Sequence, residues 1–178
     1  MTIKTENQQW QDIITIIKYI LTKKQISWQV KQLQQPENIG FTTGCVYVSR
    51  IDTNRLGWQE HKDKFVNGNM IHTEAYFEQI QYQISAFKKR NPSDITEITS
   101  SDVLNAIITF FMSSAGVQYI RSLGYESFRV SQLRQPTIVT DSENYEKNPS
   151  FDITLVLRQT EDEKENYTNK IDFDLKGV

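Results

Sequence analysis

The chain has 178 residues, a mass of 20.8 kDa and a formal charge of −2, from 20 basic and 22 acidic side chains. This balance excludes a generally basic surface for nucleic acid, and the single cysteine, Cys45, excludes an intrachain disulfide and a cysteine-based zinc site. Because no run of about 18 apolar residues exists, the sequence also predicts no membrane span. We therefore expect one domain, residues 1–178, that folds in a reducing cytoplasm.

The first predicted element is an amphipathic helix over residues 7–23. Its apolar side chains recur at helical spacing and form a single stripe: Trp10, Ile13, Ile17 and Ile20. The segment 26–41, which contains Pro36 and Gly40, is polar, so we interpret it as irregular or extended.

Two β-strands follow, over residues 45–51 and 73–87. In the second strand apolar residues alternate with glutamine, which indicates one buried and one polar face; the apolar positions include Ile80, Tyr82 and Ile84. The segment between the strands contains the turn signal Asn67-Gly68-Asn69, but it is too long for a tight turn. We interpret it as a long loop, a kind of connection that is more often functional than a short one.

A second helix is predicted to begin near Ser100, where hydroxyl groups can cap it and Asp102 favours its positive end. It carries Ile107 and Phe111 on a broad apolar face, is interrupted near residues 113–116, and then resumes.

The last third of the chain returns to β patterning, with strands over residues 128–133, 151–158 and 171–175 and a charged turn over residues 161–166. The order of elements predicts an α+β fold: a mainly antiparallel β-sheet packed by two main α-helices, with a long loop between the first two strands. Because the helix stripes have nowhere else to pack, we expect them to cover the apolar face of the sheet, which adds Ile153 and Leu155 to the core.

The titratable residues give no catalytic constellation. His72-Thr-Glu74 resembles the histidine–glutamate pair of zinc deaminases, but no Pro-Cys-x-x-Cys follows it, and a local charge pair on one face of a strand explains it better. His61 is interpreted as a solvated loop residue and Cys45 as a small buried thiol. The scattered glycines provide no phosphate-binding loop. We therefore expect no enzyme activity, and no catalytic, cofactor or metal site.

The order of segments resembles a known family. Five segments carry the resemblance: Ser49-Arg-Ile-Asp-Thr-Asn54, His72-Thr-Glu-Ala-Tyr-Phe-Glu78, Val103-Leu-Asn-Ala-Ile107, Gly116-Val-Gln-Tyr-Ile-Arg-Ser-Leu-Gly124 and Phe151-Asp-Ile-Thr-Leu-Val-Leu-Arg158. In this order, after an N-terminal amphipathic helix, they are similar to the tail (neck) terminator proteins of tailed bacteriophages, also called tail-completion proteins. The resemblance covers nearly the whole chain.

The resemblance implies a structural virion protein of the phage neck, assembled in the bacterial host cytoplasm. Such proteins form a ring, typically a hexamer, that caps the tail tube and joins it to the head connector, while DNA passes through the lumen without specific binding. The implied partners are other copies of the chain, the tail tube protein and the head–tail connector proteins. A lumen lined with positive charge would hold the DNA backbone, so the near-neutral charge of the chain fits a conduit.

An alternative from another class stays open. The chain can also be interpreted as a monomeric small-molecule-binding or regulatory α+β domain, or as a small enzyme with a site carried on loops. The assembly state, alone and with a tail-tube partner, discriminates between the two interpretations.

The long loop and the chain's last strands are the candidate contact surfaces. Exposed apolar side chains on a loop would form a patch with no purpose in a monomer, and aromatic residues often anchor interfaces. The loop candidates are Leu56, Trp58, Phe65 and Val66, with His61, Lys62 and Lys64 at the rim. The second candidate surface acts through charge pairing or edge-strand addition and comprises Glu161, Asp162, Glu163, Ile171, Phe173 and Leu175.

Overall fold

A computed structural model describes residues 4–32, 44–66, 69–88, 94, 96–139 and 145–165. In chain order the elements are α1 (Glu6–Lys23), β1 (Gln29–Gln32), β2 (Cys45–Val66), β3 (Asn69–Phe87), α2 (Ser100–Phe111), α3 (Ser114–Ser122), β4 (Tyr125–Val130), β5 (Thr137–Val139), β6 (Tyr145–Lys147) and β7 (Ser150–Glu165). The predicted first helix is confirmed, and so is the interruption that separates α2 from α3.

Both long helices begin at capping boxes, in which a threonine and a residue of the first turn satisfy each other's backbone amides. At α1 the Thr5 hydroxyl accepts from the Gln8 amide at 3.3 Å, and the Gln8 side chain accepts from the Thr5 amide at 2.8 Å. At α2 the same exchange joins Thr99 and Asp102, whose carboxylate also accepts the Thr99 hydroxyl at 2.7 Å. These hydrogen bonds lower the pKa of Asp102.

The sheet has five strands in the order β1-β2-β3-β7-β4. The short β1 runs parallel to β2, and the other three pairings are antiparallel. A separate two-stranded sheet pairs β5 with β6. The α+β class and the mainly antiparallel sheet are therefore confirmed, and β1 lies in the segment that was expected to be irregular or extended.

The helices pack on one face of this sheet and form one apolar core. Every residue of the predicted core is buried: Trp10, Ile13, Ile17, Ile20, Ile80, Tyr82, Ile84, Ile107, Phe111, Ile153 and Leu155. The Trp10 and Tyr82 rings meet edge-to-face with their centroids 5.3 Å apart, so α1 contacts the centre of the sheet directly. Cys45 is buried as predicted, and burial raises the pKa of its thiol.

Two predicted connections are strands instead. Residues 52–66, interpreted as a long loop, continue β2 and pair with β3 on both sides of a register shift, and residues 161–165, interpreted as a turn, continue β7. Backbone pairing holds these segments in the sheet beyond the helices, where no core imposes an alternation of apolar and polar side chains. In addition, β3 begins at Asn69 and β4 at Tyr125, before their predicted starts. The predicted strand 171–175 lies outside the described residues.

A network of buried polar groups joins the N-terminal segment to the sheet at the point where the helices cease to cover it. The side-chain amides of Gln9 and Gln159 both donate to the Glu78 carboxylate, at 3.0 and 2.7 Å, and both also donate to the Lys4 carbonyl oxygen at 3.2 Å. The Lys4 amide in turn donates to Gln159 at 2.9 Å. Because buried polar groups are costly unless paired, this network fixes the position at which β3 and β7 leave the core.

No single helix among the described residues is long and apolar enough to cross a membrane. The pair α2 and α3 reaches that length and composition only together, and a bend of 73° divides it.

Candidate assembly interface

Beyond the helices, three strands project together as an extension that we call the arm, residues 56–66, 69–77 and 158–165. At its base Leu56 is opposite Phe77, and Phe77 is opposite Arg158. At roughly 3.3 Å per residue, the nine β3 residues of the arm span about 30 Å. The burial pattern of β2 is exposed without interruption from Ile51 to Phe65, so this strand of the arm is solvated on both faces, whereas Ala75 of β3 and Gln159 of β7 are buried.

A β-bulge near the base of the arm redirects β2. Three residues, Gly57, Trp58 and Gln59, lie between the partners of Phe77 and Ala75, where β3 has only one residue. Gly57 has a φ of +74°, a left-handed conformation that other residues adopt at a cost. A Cβ atom there would meet no atom of the described residues within 4 Å, so glycine is required by the backbone conformation and not by lack of space.

The arm exposes large apolar side chains. Trp58, in the bulge, is 97% exposed and Phe65, near the tip, is 59% exposed; Leu56 and Phe77 are exposed as a pair at the base. Val66 is half-buried. The structure thus brings all four apolar loop candidates to the arm. Phe77 was missed, although its position among the glutamines of the polar face of β3 was a visible signal.

The charged candidates divide between the two faces of the arm, because directly paired residues share a face. Lys62 is opposite Thr73 and Lys64 is opposite Ile71, on the outer face with Leu56. His61 is opposite Glu74, on the inner face that continues the helix-packed side of the sheet. His61 is therefore exposed, as expected, but it lies on a strand and not on a loop.

The described part of the second candidate surface also lies in the arm. Glu161, Asp162 and Glu163 of β7 are paired with Glu74, Thr73 and His72 of β3, respectively. The Asp162 carboxylate accepts the Thr73 hydroxyl at 2.8 Å, which lowers the pKa of Asp162. Three further candidates, Ile171, Phe173 and Leu175, lie outside the described residues.

Both edges of the arm are open among the described strands. On one side β1 pairs with β2 only as far as Val48, and on the other β4 pairs with β7 only as far as Leu157. The Arg158–Glu60 ion pair, at 2.6 Å, crosses the arm between these edges. Open edges present unpaired backbone groups that can accept a further strand.

The alternative interpretation, a small-molecule-binding domain or enzyme, would need a pocket. A groove of about 490 Å³ lies between the end of α1 and β1. Its lining residues are Lys18, Leu21, Thr22, Ile26, Trp28, Gln29, Val30 and Lys31. Within the described part of the chain this groove gathers no carboxylate, histidine or cysteine, so it offers no acid–base pair.

The structure and sequence are similar to proteins of phage-type tails. The fold matches an extracellular contractile injection system structure, the PVC sheath/tube terminator in the extended state, with a TM-score of 0.59 at 10% identity; the match covers 100% of this chain and 64% of that chain. A comparison with curated proteins finds no match. The family model of the phage protein E217 gateway protein gp29 matches residues 10–175. Together these matches confirm the resemblance to phage tail terminators, and this chain belongs to the E217 gateway protein gp29 family.

Proposed function

We propose that this protein is a structural, non-enzymatic terminator of a phage tail. Several copies, six in the proposed ring, close the head-proximal end of the tail tube and join it to the head connector, and DNA passes through the lumen. Membership of the gateway protein family and the fold shared with a sheath/tube terminator support this proposal. The formal charge of −2 is compatible with a lumen that does not retain DNA by counterion release.

The observation that carries the proposal is the arm. A monomer gains nothing from three paired strands that leave the core and keep Trp58 and Phe65 in solvent. In a ring the same features become contacts: the open β2 edge can add a strand of a neighbour, and the aromatic side chains can fill its pockets. We therefore assign the arm to the contact with the adjacent subunit or the adjacent ring.

The arm has the charge pattern of a specific contact rather than of a general adhesive surface. Its outer face carries Lys62 and Lys64 together with Asp162, whereas Glu161 and Glu163 lie on its inner face. A neighbour that meets both faces must match charges of both signs on the outer face and acidic groups on the inner face. Such complementarity sets register and excludes wrong partners more than it adds affinity.

Deletion of the gene from its phage tests the proposal. We expect filled or fillable heads and separate tails, and we expect restoration by the wild-type chain supplied in trans. A trimmed chain that joins Leu56 to Phe77 through an Asn-Gly turn should not restore joining, because it lacks the β2 and β3 strands of the arm but keeps the core. Normal infectious particles in the absence of the gene would contradict the proposal. Restoration by the trimmed chain would contradict only the role that we assign to the arm.

A further inference from the structure

Two imidazoles and a carboxylate converge on the inner face of the arm. His61 of β2 is directly opposite Glu74 of β3, and His72 precedes Glu74 by two residues on the same face. His61 Nδ1 lies 3.5 Å from Glu74 Oε1, and His72 Nε2 lies 3.6 Å from the same oxygen. The two rings are stacked with centroids 5.6 Å apart, and one ligand atom from each of the three residues lies within 4.8 Å of the others.

From this geometry we infer that the arm binds a divalent transition-metal ion of the zinc class through His61, His72 and Glu74. A tetrahedral zinc ion with bonds of about 2.0–2.1 Å places its ligand atoms about 3.3–3.4 Å apart. The two imidazole-to-carboxylate separations, 3.5 and 3.6 Å, are close to that edge length, and the two imidazole nitrogens lie within 4.8 Å of each other. Two imidazole nitrogens and one carboxylate oxygen also suit zinc better than magnesium or calcium, which prefer oxygen ligands.

Hydrogen bonds from neighbouring side chains hold the proposed ligands in the required orientation. The Asp63 carboxylate lies 2.5 Å from His72 Nδ1; because a carboxylate only accepts, Nδ1 carries the proton and Nε2 offers its lone pair towards Glu74. The side-chain amide of Gln59 donates to Glu74 Oε2, which directs Oε1 to the two rings. A carboxylate–histidine–metal relay of this kind is the usual support of a metal ligand.

The β-bulge creates the site. Before the bulge Leu56 is opposite Phe77, and with that register unchanged His61 would be opposite His72. The bulge shifts the register by two residues, so that Glu60 is opposite Ala75 and His61 is opposite Glu74. The bulge interrupts the hydrogen-bond ladder between β2 and β3. A metal ion bound just beyond it would link the two strands and would stiffen the arm.

Titration of the untagged full-length protein with Zn²⁺, followed by calorimetry and by thermal unfolding, tests the inference. We expect saturable binding of one ion per chain and a rise in Tm, because a ligand that binds only the folded state stabilises it. Mg²⁺ should produce neither effect. Amide hydrogen exchange in residues 60–66 and 70–75 should slow when zinc is bound.

Matched variants decide which residues bind the ion. His61→Gln and His72→Gln should each reduce Zn²⁺ binding below detection, and Asp63→Asn should weaken it by about 10- to 100-fold. Lys62→Gln, between two of these positions but on the outer face, should bind as the wild type does. Unfolding of each metal-free variant by urea controls for loss of the fold. No saturable Zn²⁺ binding to the wild type, or binding as tight as that of the wild type by either histidine variant, would overturn the inference.

Discussion

Trp58→Ala separates assembly from folding. Because Trp58 is 97% exposed, almost its whole side chain is available to a partner and almost none of it supports the monomer. A tryptophan that becomes fully buried removes about 150–250 Å² from water, which at about 25 cal/mol/Å² is an upper limit of about 4–6 kcal/mol. Interface anchors measured by truncation cost about 2–4 kcal/mol, so we expect the association constant of the ring or tube contact to fall by about 30- to 1,000-fold.

The monomer provides the control for the same substitution. Urea unfolding of the Trp58→Ala monomer should give a free energy within about 0.5 kcal/mol of the wild type, while sedimentation velocity with the tube partner measures the loss of assembly. Met112→Ala is the matched variant, since Met112 is 75% exposed but lies at the C-terminal end of α2, away from the arm. Unchanged assembly by Trp58→Ala, or equal losses by both variants, would refute the assignment of the arm.

Three further substitutions test the fold. Leu155→Ala should lower the free energy of unfolding by about 2–5 kcal/mol, because Leu155 is fully buried in the core; a loss below about 1 kcal/mol in urea would contradict the packing. Tyr82→Phe should be neutral or should stabilise by about 1 kcal/mol, since the buried Tyr82 hydroxyl has no hydrogen-bond partner among the described residues; a clear destabilisation would show that this hydroxyl is used. Thr99→Ala should cost about 0.5–2 kcal/mol through loss of the N-cap of α2. The pKa of Asp102 is lowered in the folded state. The ionised Asp102 carboxylate therefore stabilises the fold above the ordinary aspartate pKa of about 3.9, and this stabilisation is lost as the pH falls through the pKa that Asp102 has in the folded protein. The difference in stability between wild type and Thr99→Ala should therefore shrink in acid, and a difference that grows there would contradict this role.

The parts of the fold that contact the core were predictable from the sequence. The stripe of α1 and the alternation from Ile80 to Ile84 carry the period of their secondary structure, because one side of each element faces apolar neighbours and the other faces water. A hydroxyl cap near Ser100 and the break before Ser114 were also visible, although the capping residue is Thr99; small hydroxyl residues at helix ends have a local function that does not depend on the rest of the fold.

The arm was not predictable in the same way. Residues 52–66 carry asparagine, glycine and charged side chains, a composition typical of loops, and neither face meets a core that would impose alternation. What holds them as a strand is pairing with β3, which is set by backbone hydrogen bonds and not by side-chain pattern. The proximity of His61 to Glu74 depends on the bulge at Gly57, and a register shift of this kind leaves no periodic signal.

A cryo-EM image of the assembled tail, with this chain located by a fused marker at its N-terminus, tests the central claim most directly. We predict a ring of copies at the head-proximal end of the tail tube, coaxial with it, in which each arm contacts the neighbouring subunit or the adjacent ring. Location of the chain elsewhere in the particle, or tails that lack it and still join heads, would contradict the account.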